Sequence, residues 1–226
     1  MKITEQEIAD YLAATPDFFD RHAELLAGIQ LISPHGKRAV SLQERQIELQ
    51  REKTKALELK AAEMIRFAQE NDAIQQKLLR WVRALLMQGT ARQLPATLTR
   101  ELQQQFSLPQ VGLKLWQLAP DYADLAQARG YSDDAIVFAN SLTLPYCGIN
   151  SGFEAAQWVD DPLAVKSLAL IPLRPLAADG SAAQGTFGLL VFGSPDPQRF
   201  QAGMGTEFLT RIGELSSAAL GRLLPH

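Results

Sequence analysis

Cysteine is almost missing. Cys147 is the only one in 226 residues, so no internal disulfide can form, which fits a reducing cytoplasm. Histidine is nearly as scarce, with His22, His35 and His226 alone. None has a second histidine at metal-ligand spacing, and a zinc or iron site needs several converging N, S or O ligands, so neither metal nor cofactor is expected. No run of 18 or more uncharged apolar residues occurs, which argues against a transmembrane helix. The opening MKITEQEIADYL carries Glu5, Glu7 and Asp10 where a signal peptide needs an apolar core, so a cytoplasmic location is expected. A strong excess of one charge is also lacking. Net charge is −3; residues 1–88 hold 13 basic and 13 acidic side chains, and residues 89–226 hold 9 and 12. Neither part has the footprint of a nucleic-acid binder, and no helix has the basic polar face that a membrane surface selects.

What is present is the composition of a folded protein, 46% apolar and 21% charged. The length predicts one or two domains at about 150 residues each. Residues 1–40 read as two short helices and a loop. Thr4-Glu5-Gln6-Glu7 is a capping box, and Ile8, Tyr11 and Leu12 follow at helical spacing. Thr15-Pro16 opens a second helix with Thr15 at the cap, lined by Phe18, Phe19, His22, Leu25, Leu26 and Ile29. Ser33-Pro34-His35-Gly36 is a loop by its turn residues.

Residues 41–89 carry the strongest local signal. Ser41-Leu42-Gln43-Glu44 is a second capping box, and no Pro or Gly follows until Gly89. At 1.5 Å per residue this predicts a helix of roughly 70 Å, a coiled-coil length. Leu57, Met64, Asn71, Leu78 and Leu85 recur every seven residues; Ala61, Ala68, Gln75 and Val82 fill the companion position. Leu42, Leu49 and Ala56 sit one residue out of step, so a discontinuity is expected near 50–56. Small and polar seam residues favour a fixed register over maximal stability. The expectation is a homodimer whose interface includes Leu57, Met64, Asn71, Leu78 and Leu85; the alternative is that the C-terminal half of the helix packs on its own domain.

Residues 90–226 alternate helix and strand. Leu94, Leu98, Leu102 and Phe106 line a helix opened by Leu94-Pro95, and Val111, Leu113 and Leu115 alternate as a strand should. Ala135–Ala139 is a short β-prone run, and Ser141–Tyr146 places Leu142, Leu144 and Tyr146 on one strand face. Gly152–Val159 is expected as a short helix. Leu168–Leu173 reads as a strand buried on both sides. A loop with Asp179-Gly180 joins it to Gly185–Phe192 as a long-connected hairpin. The last helix, about 203–224, carries Phe208, Ile212, Leu215 and Ala219.

The chemical constellations are poor. The roughly 120 residues centred on Cys147 hold no histidine to make its thiolate, so a small half-buried core residue is the better reading. The glycines of GTFGLLVFG and of Gly203-Met204-Gly205 lack the Gly-Lys-Ser/Thr of a phosphate loop, and close packing of the final helix on the sheet accounts for them. Asp133-Asp134 and Asp160-Asp161 are adjacent pairs whose side chains diverge, suited to solvation and helix capping. Ser216 and Ser217 lie on a helix with no histidine partner, so no hydrolase triad is supported. Trp116, Phe138, Tyr146, Phe153 and Trp158 form the candidate ligand-binding set, because aromatic walls with a few polar groups build small-molecule pockets; an ordinary filled core is the alternative.

LPATLTRELQQQFSLPQVGLKLWQL resembles the opening helix and first strand of a GAF domain. SLALIPLR followed by GTFGLLVFGSPDPQRFQAGMGTEFLTRIGELSSAALGRLL resembles its closing hairpin and helix. Over the whole chain the match is closer to the bacterial family called domain of unknown function 484, whose N-terminal signature TPDFFDRHAELL, AVSLQERQIELQREK and FAQENDAI resemble. The resemblance and the element order together imply an α+β fold. Its GAF-like antiparallel sheet with flanking helices follows an N-terminal helical region with a long coiled-coil helix. Three parts are expected: short N-terminal helices at 1–40, the coiled-coil or signalling helix at 41–89, and a GAF-like domain at 90–226. Bilin-binding GAF relatives place His after their attachment cysteine; Gly148 stands here, which argues against a chromophore.

The functional expectation is a non-enzymatic regulatory or sensory module. A GAF-like domain would bind a small neutral molecule or a protein, coupled to a dimeric helical region. The alternative is a protein–protein interaction scaffold with a filled core. No enzyme is expected, because no nucleophile-base or metal constellation exists.

Overall fold

The computed structural model describes residues 3–28, 30–32, 39–176, 185–203 and 205–225. They form two compact units, Met1–Asn71 and Asp72–His226.

In the first unit, α1 (Glu5–Ala14) starts with the expected capping box. Glu7 N donates to Thr4 Oγ1 at 3.3 Å, and Thr4 N donates to Glu7 Oε2 at 2.8 Å. Those hydrogen bonds hold the exposed Glu7 carboxyl below its ordinary range. The expected second helix is two, α2 (Asp17–Arg21) and α3 (Ala23–Gly28). His22 leaves helical geometry between them, its N–H reaching Phe18 O and its ring packing 4.6 Å from that of Phe18. Pro16, not Thr15, takes the cap position of α2, without a side-chain capping bond. No residue of α1 or α2 is buried. A hairpin that the sequence reading missed follows: β1 (Gln30–Ile32) pairs antiparallel with β2 (Ala39–Ser41), Leu31 opposite Val40. Ile29, the Ser33–Gly36 loop and the side chains of the Ser41–Glu44 capping box lie outside what is described.

Helix α4 (Leu42–Met87) is one element of 46 residues, as the absence of Pro and Gly predicts. It crosses the boundary between the units. Its last turns carry Leu78, Trp81 and Leu85 into the core of the second unit, so the compact unit begins at Asp72 rather than at 90.

The second unit is built on a four-stranded antiparallel sheet, order β3 (Gln110–Leu115), β6 (Gly188–Ser194), β5 (Ser167–Leu173), β4 (Tyr146–Ile149). The expected hairpin is present: Leu168 faces Gly193 and Ile171 faces Leu190. β5 and β6 read as continuous apolar runs because both faces are covered. Ala169, Ile171, Leu173, Leu190 and Phe192 point into one core; Leu168, Leu170, Leu189 and Val191 point into the other. Pro172 is tolerated because β4 ends opposite Leu170, leaving that stretch of β5 at an edge. The first core is closed by α5 (Leu94–Phe106) and α7 (Glu207–Leu220) on the same face, with the end of α4. This α+β arrangement, helices flanking an antiparallel sheet after a long helix, is the expected fold class.

Two local readings are corrected. Ala135–Ala139 is helical, inside α6 (Asp133–Ser141). Ser132 Oγ accepts from Ala135 N at 3.2 Å, and Asp133 and Asp134 sit in the first turn, where the helix dipole favours acids. Those capping signals outweigh the β-branched Ile136-Val137. The Ser141–Tyr146 run is not a strand: Ser141 ends α6 and β4 starts only at Tyr146, with Leu144 60% exposed. The Gly152–Val159 segment is a single 3-10 helix, Glu154–Trp158. Asp179-Gly180 lies outside the described residues.

Candidate functional site

The second core lies between the sheet and the layer made by α6 and the 153–165 segment. Four side-chain ties hold that layer together and fasten it to the sheet. Ser132 N donates to Glu154 Oε1 at 2.9 Å, and Ser132 Oγ donates to Glu154 Oε2, so the start of α6 is fastened to the 3-10 helix. Gln110 and the backbone of Asp161 exchange two bonds, fastening the following loop to β3. Asn140 Oδ1 accepts from Thr186 N and Oγ1 at 2.7 and 2.9 Å, fixing the end of α6 to the approach of β6. The Arg174 guanidinium donates to Leu142 O at 2.7 Å, which satisfies a carbonyl past the end of α6.

All five aromatic residues of the expected binding set fall in this core. Trp116 is buried, its Nε1 donating to Thr186 O at 2.6 Å and its ring 5.6 Å from Tyr131. Phe153 lies between two others of the set, 5.5 Å from Phe138 and 5.3 Å from Tyr146. Trp158 is half-buried, and its backbone presses on Gly112, where a Cβ would come within 3.0 Å of Trp158 O. Phe138, Tyr146 and Phe153 thus pack ring against ring, while Trp116 packs on Tyr131. A cleft of about 190 Å³ remains between α6 and the 3-10 helix. Phe138 and Phe153 line it over Leu189, with Asp134 and Glu154 beside them; Trp116, Tyr146 and Trp158 do not reach it. Glu154 had no local signature, since its partner Ser132 is 22 residues away.

Cys147 is buried on β4 opposite Ala169, and burial pushes its thiol above the usual range, so it is a poor nucleophile. His35 and His226 lie outside the described residues. Among the described residues, no three His, Cys, Asp or Glu side chains converge as metal ligands. The Ser217 hydroxyl accepts from Arg174 N at 3.1 Å and so joins α7 to the end of β5. The strand glycines serve close approach, though between strands more than to the final helix: a Cβ on Gly188 would meet Lys114 O at 2.8 Å. The close helix–sheet contact belongs to Gly213, where a Cβ would meet Ile171 Cγ2 at 2.8 Å.

The proposed dimer residues divide. Leu57 and Met64 are 69% and 65% exposed, and Asn71 is exposed with them. Leu78 and Leu85 are 7% and 4% exposed, packed in the first core of the second unit beside the fully buried Trp81. The heptad stripe is thus spent on the chain's own core over its last turns and uncovered above them.

No helix among the described residues is long and apolar enough to cross a membrane. No curated protein matches the chain. Among solved structures, the chain is similar to the GAF domain from Acinetobacter phosphoenolpyruvate-protein phosphotransferase, at 12% identity over 68% of this chain and 93% of that one, TM-score 0.44. It is also similar to free methionine-R-sulfoxide reductase from Neisseria meningitidis, at 14% identity over 66% of this chain and 88% of that one, TM-score 0.41. The model of one protein family matches residues 1–224, nearly the whole chain, and on that match the chain belongs to the family described as protein of unknown function, DUF484.

Proposed function

We propose that the chain is a non-enzymatic regulatory module that works as a homodimer and acts through protein contact. The observation that carries this reading is the exposed stripe of α4. Leu57, Met64, Ile65 and Phe67 stand 48–69% exposed within about three turns, on a helix too long for one small domain to cover. A second copy is the simplest cover for a stripe with heptad spacing. The packing of Phe138, Tyr146 and Phe153 against one another supports a filled core rather than an open pocket.

A sensory role is the second reading, favoured by one observation, the cleft between Phe138 and Phe153. At about 190 Å³ it is smaller than the roughly 300 Å³ at which ligand pockets begin, so its occupant would be small. Native mass spectrometry of freshly purified protein separates the readings. A dimer without added mass supports the interaction module. A dimer carrying a retained small molecule supports the sensor, and a monomer removes the dimer from both.

A further inference from the structure

We propose that α4 pairs with the α4 of a second copy in parallel and in register, Asn71 facing Asn71, and that this amide pair fixes the alignment. The inference rests on the dimer reading above and adds its geometry.

The seam has a lower limit. Leu78, Trp81 and Leu85 face their own domain core, so a second helix cannot follow the stripe past Gln75. Above it, Leu57, Met64 and Asn71 hold one seam position, and Thr54, Ala61, Ala68 and Gln75 hold the other, about three heptads. Asn71 and Gln75 lie in the last of them, where covering leaves each amide needing a partner. Parallel, in-register pairing supplies it. Asn71 meets its own copy, carbonyl to amide in both directions, and Gln75 does the same.

Antiparallel pairing sets each seam position against the other, so Asn71 meets Thr54 or Ala61 and never its own copy. The alignment with Ala61 leaves the Asn71 amide unpaired and brings Glu58 beside Asp72 on both sides of the axis, and the one with Thr54 leaves Gln75 outside the seam. In the parallel arrangement Lys53 faces Glu58 of the second copy, and the symmetry makes the favourable pair twice. The residues flanking the seam further down are apolar, Ile65 at 60% exposed, Phe67 at 48% and Ile74 at 40%, so the covered band is wider than the seam itself. The stripe is complementary to itself, Asn71 to Asn71, Gln75 to Gln75 and Lys53 to Glu58, so a second copy of this chain is the occupant it fits.

The native cysteine is buried and its thiol protonated, so introduced cysteines report cleanly. The test uses the full chain carrying Cys147→Ala with one new cysteine, Leu57→Cys or Ala68→Cys in the seam, or Arg66→Cys on the outer face. Each is exposed to oxidised glutathione and read by intact mass. A disulfide needs Cα atoms within about 7 Å. Leu57→Cys and Ala68→Cys are expected to cross-link to covalent dimers, at least ten-fold faster than Arg66→Cys. Adding Asn71→Leu to Leu57→Cys is expected to cut the cross-linked yield at least two-fold, since the alignment has lost its polar pair. If Cys147→Ala lowers solubility, the same cysteines are placed beside the native, shielded Cys147. A dimer in which Leu57→Cys stays uncross-linked, while a mixture of Leu57→Cys with Ala68→Cys or Gln75→Cys chains cross-links, overturns the parallel assignment and leaves the dimer standing. An undiminished yield with Asn71→Leu overturns the role of Asn71. A monomeric chain overturns the dimer reading itself.

Discussion

Trp81 of α4 donates its indole N–H to the carbonyl of Leu98 on α5, 3.4 Å away, and both side chains are fully buried. The bond is long, so most of the energy at this point comes from the indole filling the space between helices. Replacing Trp81 with Ala is expected to cost about 3–5 kcal/mol, the range for emptying a large aromatic site. Trp81→Phe keeps much of the volume and loses the donor, so a cost nearer about 1–2 kcal/mol is expected. Chemical denaturation of both variants checks this. Equal losses for the two would show that the site is held by the hydrogen bond rather than by packing.

Gly188 begins β6 at a point where β3 passes too close for a side chain. A Cβ there would lie 2.7 Å from Leu115 Cδ2 and 2.8 Å from Lys114 O. Leucine can rotate away, but a backbone carbonyl paired into the sheet cannot. Gly188→Ala is therefore expected to destabilise by about 1–3 kcal/mol, the usual cost of overpacking. Gly203→Ala, where a Cβ would meet nothing within 4 Å, is the matched control and should leave the thermal midpoint unchanged within error. A Gly188→Ala protein as stable as Gly203→Ala would contradict the close strand approach.

Gln110 works differently, through hydrogen bonds 51 residues apart. Its Nε2 donates to Asp161 O at 2.9 Å and its Oε1 accepts from Asp161 N at 2.8 Å. Gln110→Leu keeps the size but leaves both backbone groups to water, an expected loss of about 1–2 kcal/mol. Hydrogen exchange is the sharper readout. The Asp161 amide should lose its protection while β5 and β6 keep theirs, and uniform loss across the sheet would mean that the residue supports the whole fold.

How far these contacts were legible depends on their reach. The helix α4, the α5 stripe of Leu94, Leu98 and Leu102, and the β5–β6 hairpin follow from periodicity and turn residues, all local signals. Ala135–Ala139 was misread because Ile136-Val137 is β-prone in isolation, while the residues that start α6 lie just upstream at Ser132–Asp134. The aromatic residues 116, 138, 146, 153 and 158 meet in one core, yet their spacing cannot say whether they leave space. That depends on ties such as Asn140–Thr186 and Gln110–Asp161, which fasten the covering layer to the sheet and have no sequence period. The same limit applies to the heptads: spacing marks a stripe but not what covers it.

Cys147 gives the second unit a specific pH response. Burial raises its thiol pKa, so the folded state holds the proton more firmly than the unfolded chain does. The stabilisation is fully present below the ordinary thiol value of about 8.5 and is lost as pH rises through the raised one. Relative to Cys147→Ala, the wild-type chain is expected to lose stability as pH rises above the ordinary thiol value of about 8.5. Denaturation midpoints of the pair below and above that value test it, and a pH-independent difference would mean that the thiol is not shielded.

The last expectation separates two leucines that share one heptad position. Leu78 and Leu57 are three heptads apart on α4, and sequence spacing treats them alike. In the structure Leu78 is 7% exposed, in contact with the core that holds Trp81, whereas Leu57 is 69% exposed. A carboxylate at 78 would be a buried charge with no partner, which costs several kcal/mol, so Leu78→Asp is expected to unfold the second unit. At 57 the carboxylate remains hydrated in the single chain and is forced out of water only where a second helix covers it. Leu57→Asp is therefore expected to keep the wild-type circular dichroism spectrum while raising the dimer dissociation constant at least ten-fold, and Met64→Asp should behave the same way. Light scattering over a dilution series, run beside thermal melts, distinguishes the effects. If Leu78→Asp keeps its fold and only dissociates, the last turns of α4 belong to the dimer rather than to the domain core. If Leu57→Asp changes neither mass nor melting, the exposed stripe has no partner in solution.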